Sequence, residues 1–217
     1  MSQHLFLKIS EAFSNPYISY STFAEFLEEK MSQITRMPLL ATNLNTGLPN
    51  ESLWQELESM SPKNSFSEMK QIGDVTTFLY FNNFNFKLKQ SQTFKVNGIQ
   101  VNMLRKGTNI KDFWVDIVFP SASDEMSLTR NNKASDNVWP FIYTDVSYGN
   151  PKELWGRPWA TDEINSEQFG VVVGAKSIES SAVADLKRLE IVIHYEELIL
   201  SFSKKEICQL KSPHPQR

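Results

Sequence analysis

Asp112-Phe113-Trp114-Val115-Asp116-Ile117-Val118-Phe119 is the stretch that decides the fold class. Phe113, Val115, Ile117 and Phe119 alternate with Asp112, Trp114, Asp116 and Val118, the period of 2 that sends successive side chains to opposite faces of a strand. Ile99, Val101 and Met103 alternate in the same way with Gln100 and Asn102, and Leu189, Ile191, Ile193 and Tyr195 with Glu190, Val192 and His194. Aromatic and β-branched runs at residues 75–81, 84–88, 141–148, 169–175 and 198–202 add further strands. With few helical patterns between them, these runs predict a mainly β chain: an antiparallel, jelly-roll-like β-sandwich over residues 70–202.

Towards the N-terminus the period changes. Thr22 stands three residues before Glu25, a capping-box spacing, and Phe23, Phe26, Leu27, Met31 and Ile34 then recur at helical intervals. A helix over residues 22–34 is predicted, packed either on its own domain or on a neighbouring subunit; in the second case those five residues are the partner-binding face. Residues 38–50, with two prolines, one glycine and three asparagines, read as a linker or extended arm. Residues 50–60 would add a further short helix with Leu53, Trp54 and Leu57 on one side. Residues 1–69 are therefore expected to be a partly helical anchor or arm, and residues 203–217 an exposed tail.

Composition narrows the partners. Lys and Arg total 22 against 25 Asp and Glu, a formal charge of −3, so no nucleic-acid partner is expected. The single Cys208 forms no intramolecular disulfide, and the fold does not depend on oxidation. No run approaches the ~18 consecutive apolar residues that cross a bilayer, and residues 1–10 lack a secretory signal, so no membrane partner is expected either.

Reactive groups do not converge. His4, His194 and His214 are scattered, His194 on a strand face with Glu190 and Val192, and Cys208 has no histidine nearby in sequence. No catalytic residue, cofactor or metal site is expected and the chain is read as a non-enzyme, although Asp112, Asp116, Asp124 and Glu125 would make a carboxylate cluster for Ca²⁺ if they were not simply a solvated rim. Gly170 and Gly174 flank a valine run that reads as a strand and not as a phosphate loop; Gly149 and Gly156 suit turns. Trp155 and Trp159 are the candidate ligand-binding residues, because indole faces stack on sugar rings; the alternative is that both close one end of the core. Trp114, opposite the Phe113/Val115/Ile117 set, would lie on a second buried face or at a subunit contact.

Asn132-Lys133-Ala134, Trp139-Pro140, Asp145-Val146-Ser147-Tyr148-Gly149, Leu154-Trp155-Gly156, Trp159, Ile164-Asn165-Ser166, Phe169-Gly170-Val171 and residues 189–195 occur in the order and approximate spacing of a known module. The chain here resembles a β-sandwich module common in bacteriophage structural proteins and some bacterial surface proteins. Gly98-Ile99-Gln100-Val101-Asn102-Met103-Leu104-Arg105 resembles the strand that precedes those motifs in the module, so the resemblance spans residues 74–196. Ala160-Thr161 departs from its usual Thr-Pro. The resemblance implies a structural component of a phage virion (fibre, collar, tail or capsid decoration), located in the virion after synthesis in the host cytoplasm and assembled with other virion proteins as a homo-oligomer. The alternative is a carbohydrate- or receptor-binding module, with a surface glycan as partner.

Overall fold

The computed structural model describes residues 27–55, 65–88, 94–120 and 126–200. Two compact units divide the chain: Gln33–Gln90 with Val96–Tyr195, and Met1–Ser32 with Ser91–Lys95 and Glu196–Arg217. In the second unit, Lys95 and Glu196 form an ion pair at 3.7 Å. The sandwich core lies in the first.

The described elements are β1 (Leu27–Arg36), β2 (Leu40–Leu44), β3 (Glu51–Ser52), β4 (Ser65–Met69), β5 (Val75–Thr76), β6 (Phe78–Asn82), β7 (Phe94–Thr108), β8 (Ile110–Pro120), β9 (Met126–Leu128), β10 (Thr144–Gly149), a short helix α1 (Thr161–Asn165), β11 (Gly170–Ser177) and β12 (Ala182–Leu200). The first sheet runs β1-β12-β7-β10, with β4 also on β12. At the centre of the second sheet is β11, flanked by β8 on one side and by β5 and β6 on the other; β2 adds to β6, β9 to β8, and β3 to β5. The described registers are antiparallel except for the short β3–β5 pair. This is the predicted β-sandwich.

Alternation builds the interior. Ile99, Val101 and Met103 of β7 and Leu189, Ile191 and Ile193 of β12 are fully buried, as are Leu79 and Phe81 of β6, Val115 and Ile117 of β8 and Val171 and Val173 of β11. Each such side chain contributes roughly 1.5–3 kcal/mol by leaving water. On β8 the alternation is broken once. Gly174 pairs with Trp114 but Ala175 pairs with Asp112, so Phe113 is the extra residue of a β-bulge. Ile110 and Asp112 are therefore buried before the bulge and Val115 and Ile117 after it, while Phe113 and Trp114 remain half-buried.

The N-terminal expectations need correction. Leu27–Arg36 is a strand and not the C-terminal part of a helix, and Met31, Gln33 and Thr35 are exposed while Ser32 and Ile34 are half-buried, the two-residue period of a strand. Phe23 and Phe26 lie outside the described residues. The 38–50 linker contains β2, which pairs with β6 from Leu40↔Asn82 to Leu44↔Phe78. Glu51–Ser52, expected in a helix, pairs parallel to β5, and Trp54 is buried with its indole N–H donating to the Thr77 carbonyl at 3.0 Å.

Residues 84–88 keep the alternation of a strand without being one. Phe84, Phe86 and Leu88 are buried, whereas Asn83, Asn85 and Lys87 between them all adopt left-handed backbone, with φ of 54°, 52° and 54°. No ladder can form through such a segment. Leu88 is instead held from both sides by the Asn165 amide, which accepts from its N–H and donates to its carbonyl, each at 2.7 Å.

Candidate functional site

The outward face of the second sheet carries an apolar patch, bounded along β11 and β8 by the Lys176–Lys111 pair. Strand registers place its residues in rows that run across the strands. One row is Leu44, Phe78, Gly174 and Trp114; the next is Thr42, Tyr80, Val172 and Asp116; a third is Leu40, Asn82, Gly170, Val118 and Leu128. Tyr80, Val118 and Val172 form a small cluster of their own, with Leu44, Phe78, Trp114 and Leu128 packed against it. Two glycines shape this face. A Cβ on Gly174 would stand 3.2 Å from ring carbons of both Phe78 and Phe113, and one on Gly170 would meet the Phe81 carbonyl oxygen.

A groove of about 350 Å³ opens here, lined by Leu44, Asn45, Phe78, Val172, Val118, Leu128 and Ser127. It thus crosses β2, β6, β11, β8 and β9. Phe78, Phe113 and Trp114 group beside it, with ring centroids 6.1–6.2 Å apart. Polar atoms at this face are incompletely paired. The Trp114 indole N–H and the Asp116 Oδ2 are buried and have no hydrogen-bond partner among the described residues, a condition that buried polar groups seldom keep. Oδ1 of Asp116 is satisfied, accepting from the Ile117 N–H at 2.8 Å and from the Thr129 hydroxyl. Tyr80 donates to the Gln168 carbonyl at 2.6 Å, and burial pushes its phenol up to about 12, against an opposing hydrogen bond from Asn82.

The residues singled out from sequence sit elsewhere. Trp155 is 0% and Trp159 8% exposed. Their indole N–H groups donate to the Ile99 carbonyl at 2.9 Å and the Leu154 carbonyl at 2.8 Å, and Trp159 stands edge-on to Phe169 and Phe119. Neither offers a free face to a ligand, so the platform reading is corrected: both indoles close one end of the core. Of the expected partner-binding residues, Leu27, Met31 and Ile34 lie on β1 in a strand and not along one helical stripe, and Phe23 and Phe26 are not described. Trp114 does lie on the second apolar face.

Of the four acids in the carboxylate cluster, Asp124 and Glu125 lie outside the described residues, and Asp112 and Asp116 are each committed to protein groups. Asp112 is enclosed in the interior, where its carboxylate pairs with Arg105 and accepts from the Trp139 indole at 2.8 Å, the Tyr148 hydroxyl at 2.7 Å and the Ser135 N–H at 2.9 Å. Arg105 lies 4.3 Å over the Trp139 ring. Burial, then the Asp112 charge, holds Tyr148 far above the usual phenol range. This cluster joins β7 of one sheet to β8 of the other and secures the 129–140 loop; it is structural. Among the described residues no group of three His, Cys, Asp or Glu could hold a metal ion.

No family model matches the chain, and no curated protein does. Among solved structures it is similar to the CBM22-1 xylan-binding domain from Paenibacillus barcinonensis Xyn10C, with TM-score 0.36, 9% identity, and 78% of this chain and 95% of that one covered. It is also similar to a family 29 carbohydrate-binding module complexed with cellulohexaose, with TM-score 0.30, 13% identity, and 76% and 92% coverage. A Stig cyclase from Fischerella sp. TAU is similar at TM-score 0.34 and 9% identity, with 85% and 94% coverage. These likenesses, to binding modules and to a cyclase alike, assign no activity.

Proposed function

We propose that the protein is a non-enzymatic carbohydrate-binding β-sandwich module whose site is the groove on the outward face of the second sheet. What supports this reading most is the pairing, on one sheet face, of aromatic and aliphatic side chains with a buried donor and a buried acceptor that have no partner among the described residues, Trp114 Nε1 and Asp116 Oδ2. A sugar ring is the ligand class that suits a face of this mixed character. Its C–H faces cover apolar and aromatic surface, and its hydroxyls donate and accept at the rim, where Asn45 and Ser127 stand at the two ends. The proposal includes the absence of a reaction: in the three rows named above the one acid is Asp116, and the next row of the face adds Lys176 and Lys111 without a histidine or cysteine.

The virion setting stays a proposal carried by the sequence resemblance. Trp139, Tyr148, Trp155, Trp159, Ile164 and Phe169, which bear much of that resemblance, are all buried, so they account for a shared architecture and not for a shared role. A virion subunit and a glycan binder are compatible in one protein. The test is a glycan array probed with the full chain and with Phe78→Ala. The reading expects a defined set of glycans bound by the first and weakened about tenfold in the second, since one aromatic contact is worth about 0.5–1.5 kcal/mol beyond its area. Binding that survives Phe78→Ala unchanged would move the site elsewhere.

A further inference from the structure

β2 is an outermost strand of the second sheet: among the described strands it pairs with β6 alone. A strand in that position spends half of its backbone N–H and C=O groups on its one ladder and turns the other half outward, where they template a further strand. Charge is the usual guard on such an edge, and most edges of this protein have it. β1 contains Glu28, Glu29 and Lys30, β3 Glu51, β4 Glu68 and β10 Asp145. β2 does not: from Met37 through Asn50 the chain carries no Asp, Glu, Lys, Arg or His. The same stretch gathers Met37, Leu39, Leu40 and Leu48, all exposed, and exposed Leu53 follows just beyond it. The edge is also preformed. The Asn43 side chain reaches inward, accepting from the Trp54 N–H at 3.0 Å and donating to the Trp54 carbonyl at 2.9 Å, so β2 is fixed before anything joins it.

The sequence of the strand says what fits there. In Leu40-Ala41-Thr42-Asn43-Leu44, the residues on the outward face, Leu40, Thr42 and Leu44, read the same in both directions. Laid antiparallel on its own copy about a two-fold axis at Thr42, the strand sets Leu40 against the second copy's Leu44 and Thr42 against the second copy's Thr42. Aliphatic pairs and threonine pairs are both favourable across strands. Because the strand has no charged residue, self-pairing brings no like charges together, as it would at Asp145 of β10. Leu44 belongs to the apolar patch, so the patches of two copies would run on into each other. Such a contact uses both open β2 edges at once and closes at two copies. We infer that β2 is a self-association edge: two copies of this chain pair through it, antiparallel and centred on Thr42, and join their second sheets into one. The inference goes beyond the glycan reading and does not depend on it.

The test is sedimentation equilibrium of the full chain. A five-residue ladder with a few apolar side chains is a small contact beside the roughly 1,200 Å² or more of stable complexes, so the concentration series extends to about 1 mM. The expected result is a monomer–dimer equilibrium. Thr42 is exposed, so Thr42→Lys and Thr42→Glu should keep the far-UV circular dichroism of the unaltered chain. Each sets like charges face to face on the axis and should weaken association at least about tenfold. Mixing the two variants sets lysine against glutamate and should restore it. Hydrogen exchange of the unaltered chain needs no variant: the β2 amides should exchange more slowly at dimer concentrations than on dilution. A chain that stays monomeric throughout the series, or β2 exchange that ignores concentration, overturns the inference. Association that survives in both variants overturns β2 as the contact, and loss in both without recovery on mixing overturns the register at Thr42. Species larger than a dimer overturn its closure.

Discussion

Phe78 of β6 and Phe113 of β8 stack at 6.2 Å and 19° across the strand between them, above Gly174 of β11. They meet because the residue beneath them has no side chain and because a bulge turns Phe113 to the outward face. A glycine in a central strand costs stability through lost packing, and an aromatic ring laid over it offsets that cost.

Gly174→Val should therefore disturb the face and leave the core. The Cβ alone would press on both rings at 3.2 Å, and the added methyls must push at least one aside. We expect a loss of about 1–3 kcal/mol in stability and a larger fractional loss of glycan affinity, read by denaturant melts and calorimetry on the same preparation.

Trp155→Phe is the converse case. The indole is fully buried and its N–H satisfies the Ile99 carbonyl, so the variant leaves that carbonyl unpaired and a void beside it. A loss of about 2–4 kcal/mol is expected, with the affinity of the folded fraction unchanged. Reduced affinity without reduced stability would return Trp155 to the list of ligand contacts.

Removing one partner of the interior ion pair is costlier than removing both. Asp112→Ala strands the Arg105 charge and three donors in the interior, and should destabilise by about 3–5 kcal/mol. Arg105→Met with Asp112→Leu should be less damaging than Asp112→Ala alone, because no buried charge remains. Chemical denaturation of the three proteins gives the order directly.

His194 predicts a slope with pH. Burial lowers its proton affinity, and its Nε2 has no partner among the described residues. The unfolded imidazole titrates near about 6.5, above the folded one, so the unfolded chain takes up the extra proton first as pH falls. Stability is thus full above about pH 6.5 and declines as the pH drops towards the folded value. Thermal melts between pH 7.5 and 5.5 should show this decline, and His194→Gln should flatten it.

Strand positions were readable from alternation where the backbone was regular, as in 99–103 and 189–195. Alternation alone misled at 84–88, where buried Phe84, Phe86 and Leu88 are separated by left-handed residues, and on β8, where a bulge changes which residues face inward after Asp112. Spacing does not report backbone sign or a one-residue insertion. The helical reading of 22–34 failed over its described part because Leu27, Met31 and Ile34 fit a 3.6 period as well as scattered positions on a strand, and sheet pairing outweighs local propensity. For the site, Trp114 was legible as a second apolar face, but Phe78, Val172 and Leu128 come together only through pairings distant in sequence. Trp155 and Trp159 drew attention as aromatics in a turn, and nothing local distinguishes a turn indole that points inward from one that points out.

Val171 pairs with Phe81 on one side and Ile117 on the other, and Asp185 of β12 pairs with Phe66. Neither sheet can close while the ribosome is still making the middle of the chain, because the strand at the heart of each sheet is made after the strands it pairs with. Folding of this topology is slow, on the order of milliseconds to seconds, and the apolar strands emerge well before their partners. In the cell the growing chain must be kept from pairing with its neighbours until β11 and β12 are free, which makes its yield sensitive to translation rate and chaperone supply in a way that its final stability does not disclose.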